Sequence, residues 1–201
     1  MSNAATSPPP KRLIVGISGA SGIVYGVRIL QALQGTGIET HLVMSDSARI
    51  TLGAEMDLSI KDVEALASVV HNAKNIGATI SSGSFKTMGM VVAPCSIRSL
   101  SEIAYGMTTS LLTRAADVVL KERRRLVLMV RETPLHAGHL RAMTQAVENG
   151  AILMPPVPAF YAKPQSLDEM VNHSVGRCLD LFDIDTDLVS RWPGMGKAAA
   201  Q

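Results

Sequence analysis

Five short apolar runs, at residues 13–18, 40–44, 90–93, 126–130 and 151–154, recur along this chain with helical patterning between them. Runs of that length bounded by turn residues read as strands, and amphipathic stretches at 23–33, 62–70, 97–103, 111–121 and 139–149 read as helices. Strand–helix alternation predicts parallel pairing, because parallel neighbours need a long crossover and a helix supplies one. Right-handed crossovers then follow, which leaves a parallel sheet covered by helices on both faces as the expected α/β fold. Gly150 stands just past the 139–149 helix, where a helix C-terminus favours glycine. The segment Met154-Pro155-Pro156-Val157-Pro158-Ala159-Phe160-Tyr161 departs from the rhythm, and its three prolines make it extended and stiff. After it, Ser166-Leu167-Asp168-Glu169 has capping-box spacing and opens a last helix toward Leu181.

A chain of 201 residues, 47% hydrophobic, can bury one substantial core. No apolar run approaches the ~20 residues that span a bilayer. The first ten residues carry no charged side chain, are proline-rich, and lack the basic and apolar regions of a signal peptide. They are expected to form a disordered tail, with Ser2-Asn3-Ala4 as a vector-derived scar, ahead of one domain over 11–193 and a C-terminal tail at 194–201. A cytoplasmic location is expected. The net charge of +2 is balanced between 19 basic and 17 acidic side chains, and three Phe, three Tyr and one Trp offer little for base stacking. Both facts argue against nucleic acid as a partner. Lys121-Glu122-Arg123-Arg124-Arg125 is the only basic run, and it fits a helix C-terminus. Cys95 and Cys178 have neither metal-ligand nor disulfide-framework spacing.

Polar chemistry gathers where the apolar runs end, and in open α/β sheets ligands bind outside the carboxyl ends of the strands. Leu126-Val127-Leu128-Met129-Val130 passes directly into Arg131-Glu132-Thr133-Pro134, a cation and an anion ahead of a proline-shaped loop. The first strand runs into Gly16-Ile17-Ser18-Gly19-Ala20-Ser21-Gly22. This G-x-x-G-x-x-G spacing differs from the dinucleotide G-x-G-x-x-G and fits either a tight turn or an anion cradle at a helix N-terminus. Ser45-Asp46-Ser47 and Pro94-Cys95-Ser96-Ile97-Arg98-Ser99 follow two further strands. Their hydroxyls read equally as N-caps or as a phosphate or flavin cradle. Glu55 is either a surface charge or a partly buried acid–base group with a raised pKa. Arg114 and Lys121, seven apart on one helix face, together with Arg131, Tyr161 and Arg177, could clamp a phosphate, provided that Arg177 on the last helix folds back or comes from a neighbouring subunit. His136 and His139 lack a third ligand, and no G-x-S-x-G elbow marks a hydrolase.

In their order, Gly19-Ala20-Ser21-Gly22, Pro94-Cys95-Ser96, Arg114-Ala115-Ala116-Asp117, Lys121-Glu122-Arg123, Arg131-Glu132-Thr133-Pro134, Pro158-Ala159-Phe160-Tyr161 and Pro164-Gln165-Ser166 resemble the flavin prenyltransferase family. The likeness is to the UbiX/Pad type, its proteobacterial ubiquinone-pathway members above all, and runs from about Lys11 to Trp192. It implies a Rossmann-like, flavodoxin-like three-layer fold in a homo-oligomer, typically a dodecamer, with FMN between subunits and no metal. The implied reaction joins a dimethylallyl group from dimethylallyl monophosphate to N5 and C6 of reduced FMN. Prenylated FMN then serves a partner decarboxylase of the UbiD type. By the same likeness Gly19, Ala20, Ser21, Ser45, Ser96, Ile97, Arg98, Ser99 and Arg131 would hold FMN. Arg114, Lys121, Arg131, Tyr161 and Arg177 would surround the prenyl phosphate. Glu132 and Glu55 would be the acid–base groups, Ser21 would lie near the reacting flavin nitrogen, and Lys121 would assist catalysis. Asp46 departs from the pattern, standing where relatives often carry a basic residue. The absence of an aspartate-rich magnesium motif agrees with a monophosphate donor. A flavin-dependent cysteinyl decarboxylase is expected to carry P-x-S-A-N where this chain has Pro94-Cys95-Ser96-Ile97-Arg98. An FMN-binding regulatory or storage subunit would need the flavin pocket without the clamp.

Overall fold

The computed structural model describes residues 11–189, 191 and 194. The two expected tails, 1–10 and 194–201, fall outside them except for Gly194. The elements in order are β1 (Arg12–Ile17), α1 (Ile23–Leu33), β2 (Glu39–Met44), α2 (Asp46–Glu55), α3 (Ile60–Glu64), β3 (Val69–His71) and β4 (Gly89–Cys95). Then come α4 (Ile97–Ala104), α5 (Leu111–Lys121), β5 (Arg125–Val130), α6 (Ala137–Glu148), β6 (Ile152–Leu153) and α7 (Leu167–Asp180). The six strands lie in the order β3-β2-β1-β4-β5-β6, and every neighbouring pair is parallel. This is the Rossmann order, and without the three-residue β3 it is the flavodoxin order. The winding reverses between β1 and β4, so the switch-point crevice opens at their carboxyl ends.

Side-chain alternation splits the core into two layers. Leu13, Val15 and Ile17 of β1, Val91 of β4 and Met129 of β5 face the side covered by α1, α2 and α7. Ile14 of β1, Val92 of β4 and Leu128 of β5 face α4, α5 and α6. Gly26 lets α1 lie directly on β4, for a Cβ there would run into the Ala93 carbonyl and the Ile17 side chain. The Ala93–Pro94 and Thr133–Pro134 peptides are both cis.

Four details differ from the sequence reading. The helix expected at 62–70 ends at Glu64, and 69–71 is a strand. Thr40 and Ser68 exchange hydrogen bonds (Thr40 N–H to Ser68 Oγ, 3.1 Å; Ser68 N–H to Thr40 Oγ1, 2.9 Å). They draw the chain onto the open edge of β2, where β-branched Val69 and Val70 suit a strand. Helix α2 shows little apolar periodicity because it buries only Ala48 and Leu52. The last strand shortens to two residues. Ser166 caps α7 as expected, accepting from Glu169 N–H, but the Glu169 carboxylate accepts from Gln165 N–H at 2.6 Å and not from the cap residue. The Lys121–Arg125 run does close α5, with Arg123 left-handed at φ 56°, and Gly150 takes φ 104° after α6.

Candidate active site

Loops from four strands are stitched together at the carboxyl edge. The Ser18 hydroxyl donates to the Pro94 carbonyl at 2.9 Å and accepts from Ser96 N–H at 2.7 Å, tying the loop after β1 to that after β4. Arg131 N–H donates to the Cys95 carbonyl, and Ser45 N–H to that of Ile17, both at 3.0 Å. These bonds hold Ser45, Ser96 and Arg131 around the reversal between β1 and β4.

On one side lies a cavity of about 310 Å3, lined by Ser45, Ser96 and Ser110 among other hydroxyl residues. The three are the N-cap residues of α2, α4 and α5, so three helix N-termini converge on one space. Each hydroxyl accepts from its own helix, at Ala48, Ser99 and Thr113 N–H, so the hydroxyls are N-caps and line a cradle at once. Amides and dipoles converging in this way suit a phosphate. On the other side is a cavity of about 530 Å3, where Ser21 and Arg131 face Val24, Tyr25, Pro156 and Met170. Its mostly apolar wall fits a flavin ring or a prenyl group better than a phosphate.

Glu55, the last residue of α2, accounts for this division. Its carboxylate accepts from Gly22 N–H (2.9 and 3.2 Å) and Ile23 N–H (3.0 Å), the first amides of α1. Gly22, the α1 N-cap at φ 100°, has no side chain to do this. The helix terminus that the glycine-rich loop offers to an anion is therefore already filled by a carboxylate of the chain itself, which leaves the three serine-capped termini as the ones that converge on open space. Desolvation pushes the Glu55 carboxyl upward, but hydrogen bonds from Ser21, Gly22 and Ile23 and the charge of Arg131 outweigh it and hold the pKa below its ordinary value. The shift is opposite to the raised one considered from sequence.

The other expected site residues are spread more widely. Gly19 and Ala20 lie in the loop before Ser21, and a Cβ on Gly19 would collide with Ser47. Ile97, Arg98 and Ser99 form the first turn of α4. Glu132 turns its carboxylate back to Thr133 N–H at 2.9 Å. Tyr161, half exposed, sets its hydroxyl 3.3 Å from His173 Nε2 on α7. Arg177 binds Asp180 at 2.5 Å, Arg114 binds Asp117 at 2.9 Å, and Lys121 binds Glu122 at 2.5 Å. Lys121 precedes the first residue of β5 and Arg131 follows its last, so a six-residue strand, ~20 Å, separates them. One chain does not bring Lys121 to Arg131. His136 caps α6, its Nδ1 accepting from Gly138 and His139 N–H. Burial pushes the Cys95 and Cys178 thiols up to about 12, which leaves neither as a thiolate near neutral pH. Sequence reasoning passed over Ser110, although Ser110-x-x-Thr113 carries a cap signal, and Lys74, which carries none; both line the hydroxyl-rich cavity.

A parallel sheet with a phosphate cradle and an apolar chamber at its switch point defines an α/β protein built for a flavin mononucleotide. The chain belongs to the Flavoprotein family, whose family pattern matches residues 1–178. It is 65% identical over 187 residues to the flavin prenyltransferase UbiX of Escherichia coli K12, across 92% of this chain and 99% of that protein. The crystal structure of AnUbiX (PadA1) in complex with FMN and dimethylallyl pyrophosphate superposes with a TM-score of 0.91 at 48% identity, covering 92% of this chain and 99% of that one. A dodecameric FMN-dependent UbiX-like decarboxylase from Escherichia coli O157:H7 superposes with a TM-score of 0.89, also at 48% identity, over 91% of this chain and all of that one.

Proposed function

We propose that this protein is a flavin prenyltransferase, which joins a dimethylallyl group from dimethylallyl monophosphate to N5 and C6 of reduced FMN. The observation that carries this reading is the two-ended crevice. Serine-capped helix N-termini suit the FMN phosphate, while Ser21 and Arg131 suit the reacting end of the flavin and the prenyl donor. Reduced FMN supplies the nucleophilic positions. The protein's task is to bind the leaving phosphate and to move protons, since flavin N5 and C6 each lose one as the two bonds form and the alkene carbon between those bonds gains one. Breaking the allylic C–O bond builds negative charge on the phosphate, which the Arg131 and Arg177 guanidiniums and the Tyr161 hydroxyl neutralise through charge-assisted hydrogen bonds, Arg177 exchanging Asp180 for the phosphate. Glu132 accepts the proton lost from flavin C6, after turning from Thr133 N–H toward the chamber. Ser21, whose hydroxyl bonds Glu55, steadies the flavin edge beside it. Phosphate charge in this arrangement is met by arginine, lysine and tyrosine, without a metal.

Lys121 joins the clamp from a neighbouring subunit, because within one chain it lies at the end of β5 opposite Arg131, and Arg114 accompanies it on the same face of α5. Exposed Leu140 and Val147, seven residues apart on α6, support homo-oligomer formation, and the dodecameric relative supports a dodecamer. No helix among the described residues is long and apolar enough to cross a membrane. We place the protein in the cytoplasm, handing prenylated FMN to a UbiD-type decarboxylase. Anaerobic incubation with reduced FMN and dimethylallyl monophosphate tests the reading by mass spectrometry of the flavin. A gain of one isoprene unit is expected, and an unchanged flavin mass would overturn it.

A further inference from the structure

Four charged side chains stand around the hydroxyl-rich cavity: Asp46, Lys74, Arg98 and Glu102. They fall into two pairs of different character. Glu102 is held firmly, its side chain only 13% exposed, accepting from Arg98 Nε at 2.9 Å and from the Thr109 hydroxyl at 2.7 Å. Lys74 Nζ meets Asp46 at 3.3 Å with the two side chains 79% and 70% exposed. An ion pair so solvated is weak and easily exchanged. Its backbone, in contrast, is fixed. Lys74 N–H donates to Asn72 Oδ1 at 2.9 Å, and the carbonyl of Ala73 accepts from Leu111 N–H at the start of α5. Lys74 is thus an exposed, weakly paired cation on an anchored loop, at the mouth of a space where three helix N-termini converge.

We infer that Lys74 is a binding residue for the phosphate of FMN, held at the cavity mouth by Asp46 until the phosphate takes it over. A phosphate dianion carries more charge than one carboxylate and accepts through three oxygens, so it displaces Asp46 as the ammonium's partner. Asp46 suits the α2 N-terminus through the helix dipole, yet it opposes a second anion in the same space. Lys74 supplies the charge that offsets it. The inference rests on the flavin reading above and adds a residue that no sequence motif marked.

Riboflavin, which lacks the phosphate, separates the two ideas. Flavin-fluorescence titration of the full chain should show Lys74→Ala binding FMN about tenfold more weakly, the scale of a lost hydrogen bond to a charged group. Riboflavin affinity should stay unchanged, and Lys74→Arg should retain the wild-type preference for FMN. Asp46→Asn should tighten FMN by about threefold, as removal of an exposed like charge would. Wild-type FMN affinity in Lys74→Ala, or an equal loss for FMN and riboflavin, would overturn the inference and leave the flavin reading standing. Failure of the wild-type chain to bind either flavin would remove both.

Discussion

Glu55 ends α2 with its carboxylate on the first two amides of α1, a capping role that serine plays for five other helices of this chain. The role ties two helices together and fills the N-terminus of α1 with a carboxylate of the chain itself. Because its folded pKa is depressed below the ordinary 4.5, the unfolded chain holds the proton more tightly. The carboxylate's contribution is therefore complete above that value and is lost as pH falls through the depressed folded pKa. Glu55→Ala should lower stability by about 1 kcal/mol at pH 7, the usual worth of a cap, and by less in acid, as read by urea unfolding. Arg177 makes the complementary case. It lies on α7, remote from the serine-capped cavity, so Arg177→Ala should bind FMN normally yet fail to add mass to the flavin. Full turnover in that variant would exclude Arg177 from the clamp. The role of Glu55 could not be read locally, since it meets amides more than thirty positions back in the chain.

Helix α6 follows directly from the Arg131–Pro134 loop, and its cap is an imidazole. His136 Nδ1 accepts from Gly138 N–H at 3.0 Å and His139 N–H at 3.4 Å, which only an unprotonated nitrogen can do. His136→Asn keeps an acceptor in place and should hold the melting temperature, whereas His136→Ala should cost about 1 kcal/mol. Helix α7 is fastened to α1 by Arg28, which reaches Asp168 at 2.7 Å and also Asn172. Most elements were legible from apolar periodicity. The exceptions have separate causes: α2 buries too little to show a period, and 65–71 has helical patterning that pairing with the open edge of β2 overrides.

At the scale of the whole molecule, the sheet holds Lys121 and Arg131 at opposite ends of β5, so the clamp proposed above needs at least two subunits. Co-assembly of Lys121→Ala with Arg177→Ala subunits should restore part of the activity that each lacks alone, because some interfaces then receive both intact residues. Homogeneous Lys121→Ala with wild-type turnover would contradict this. Stability also carries a whole-molecule signature at the β2–β3 edge. His41 is 3% exposed, with Nδ1 2.9 Å from His71 Nε2 and Nε2 2.7 Å from Glu39. Desolvation lowers both imidazole pKa values; for His41 the Glu39 carboxylate only partly offsets it. Folded values below the ordinary 6.5 mean that the unfolded chain takes up protons first, so stability is present above that pH and declines below it. The melting temperature should fall between about pH 6.5 and pH 5, with a shallower slope in His71→Asn.

The order of apolar runs and turn signals determined a parallel α/β sheet and put polar residues at the ends of its strands. Burial and backbone geometry act over a few residues and leave a period in the chain. The order of motifs also carried the family likeness. Which charges meet was decided by tertiary structure. Glu55 closes the helix terminus that the glycine loop seemed to offer. Lys74 comes to Asp46 across the sheet edge, and Lys121 is carried to the far end of β5. Each outcome depends on how helices stack on the sheet and where crossovers end, distances that no local pattern records.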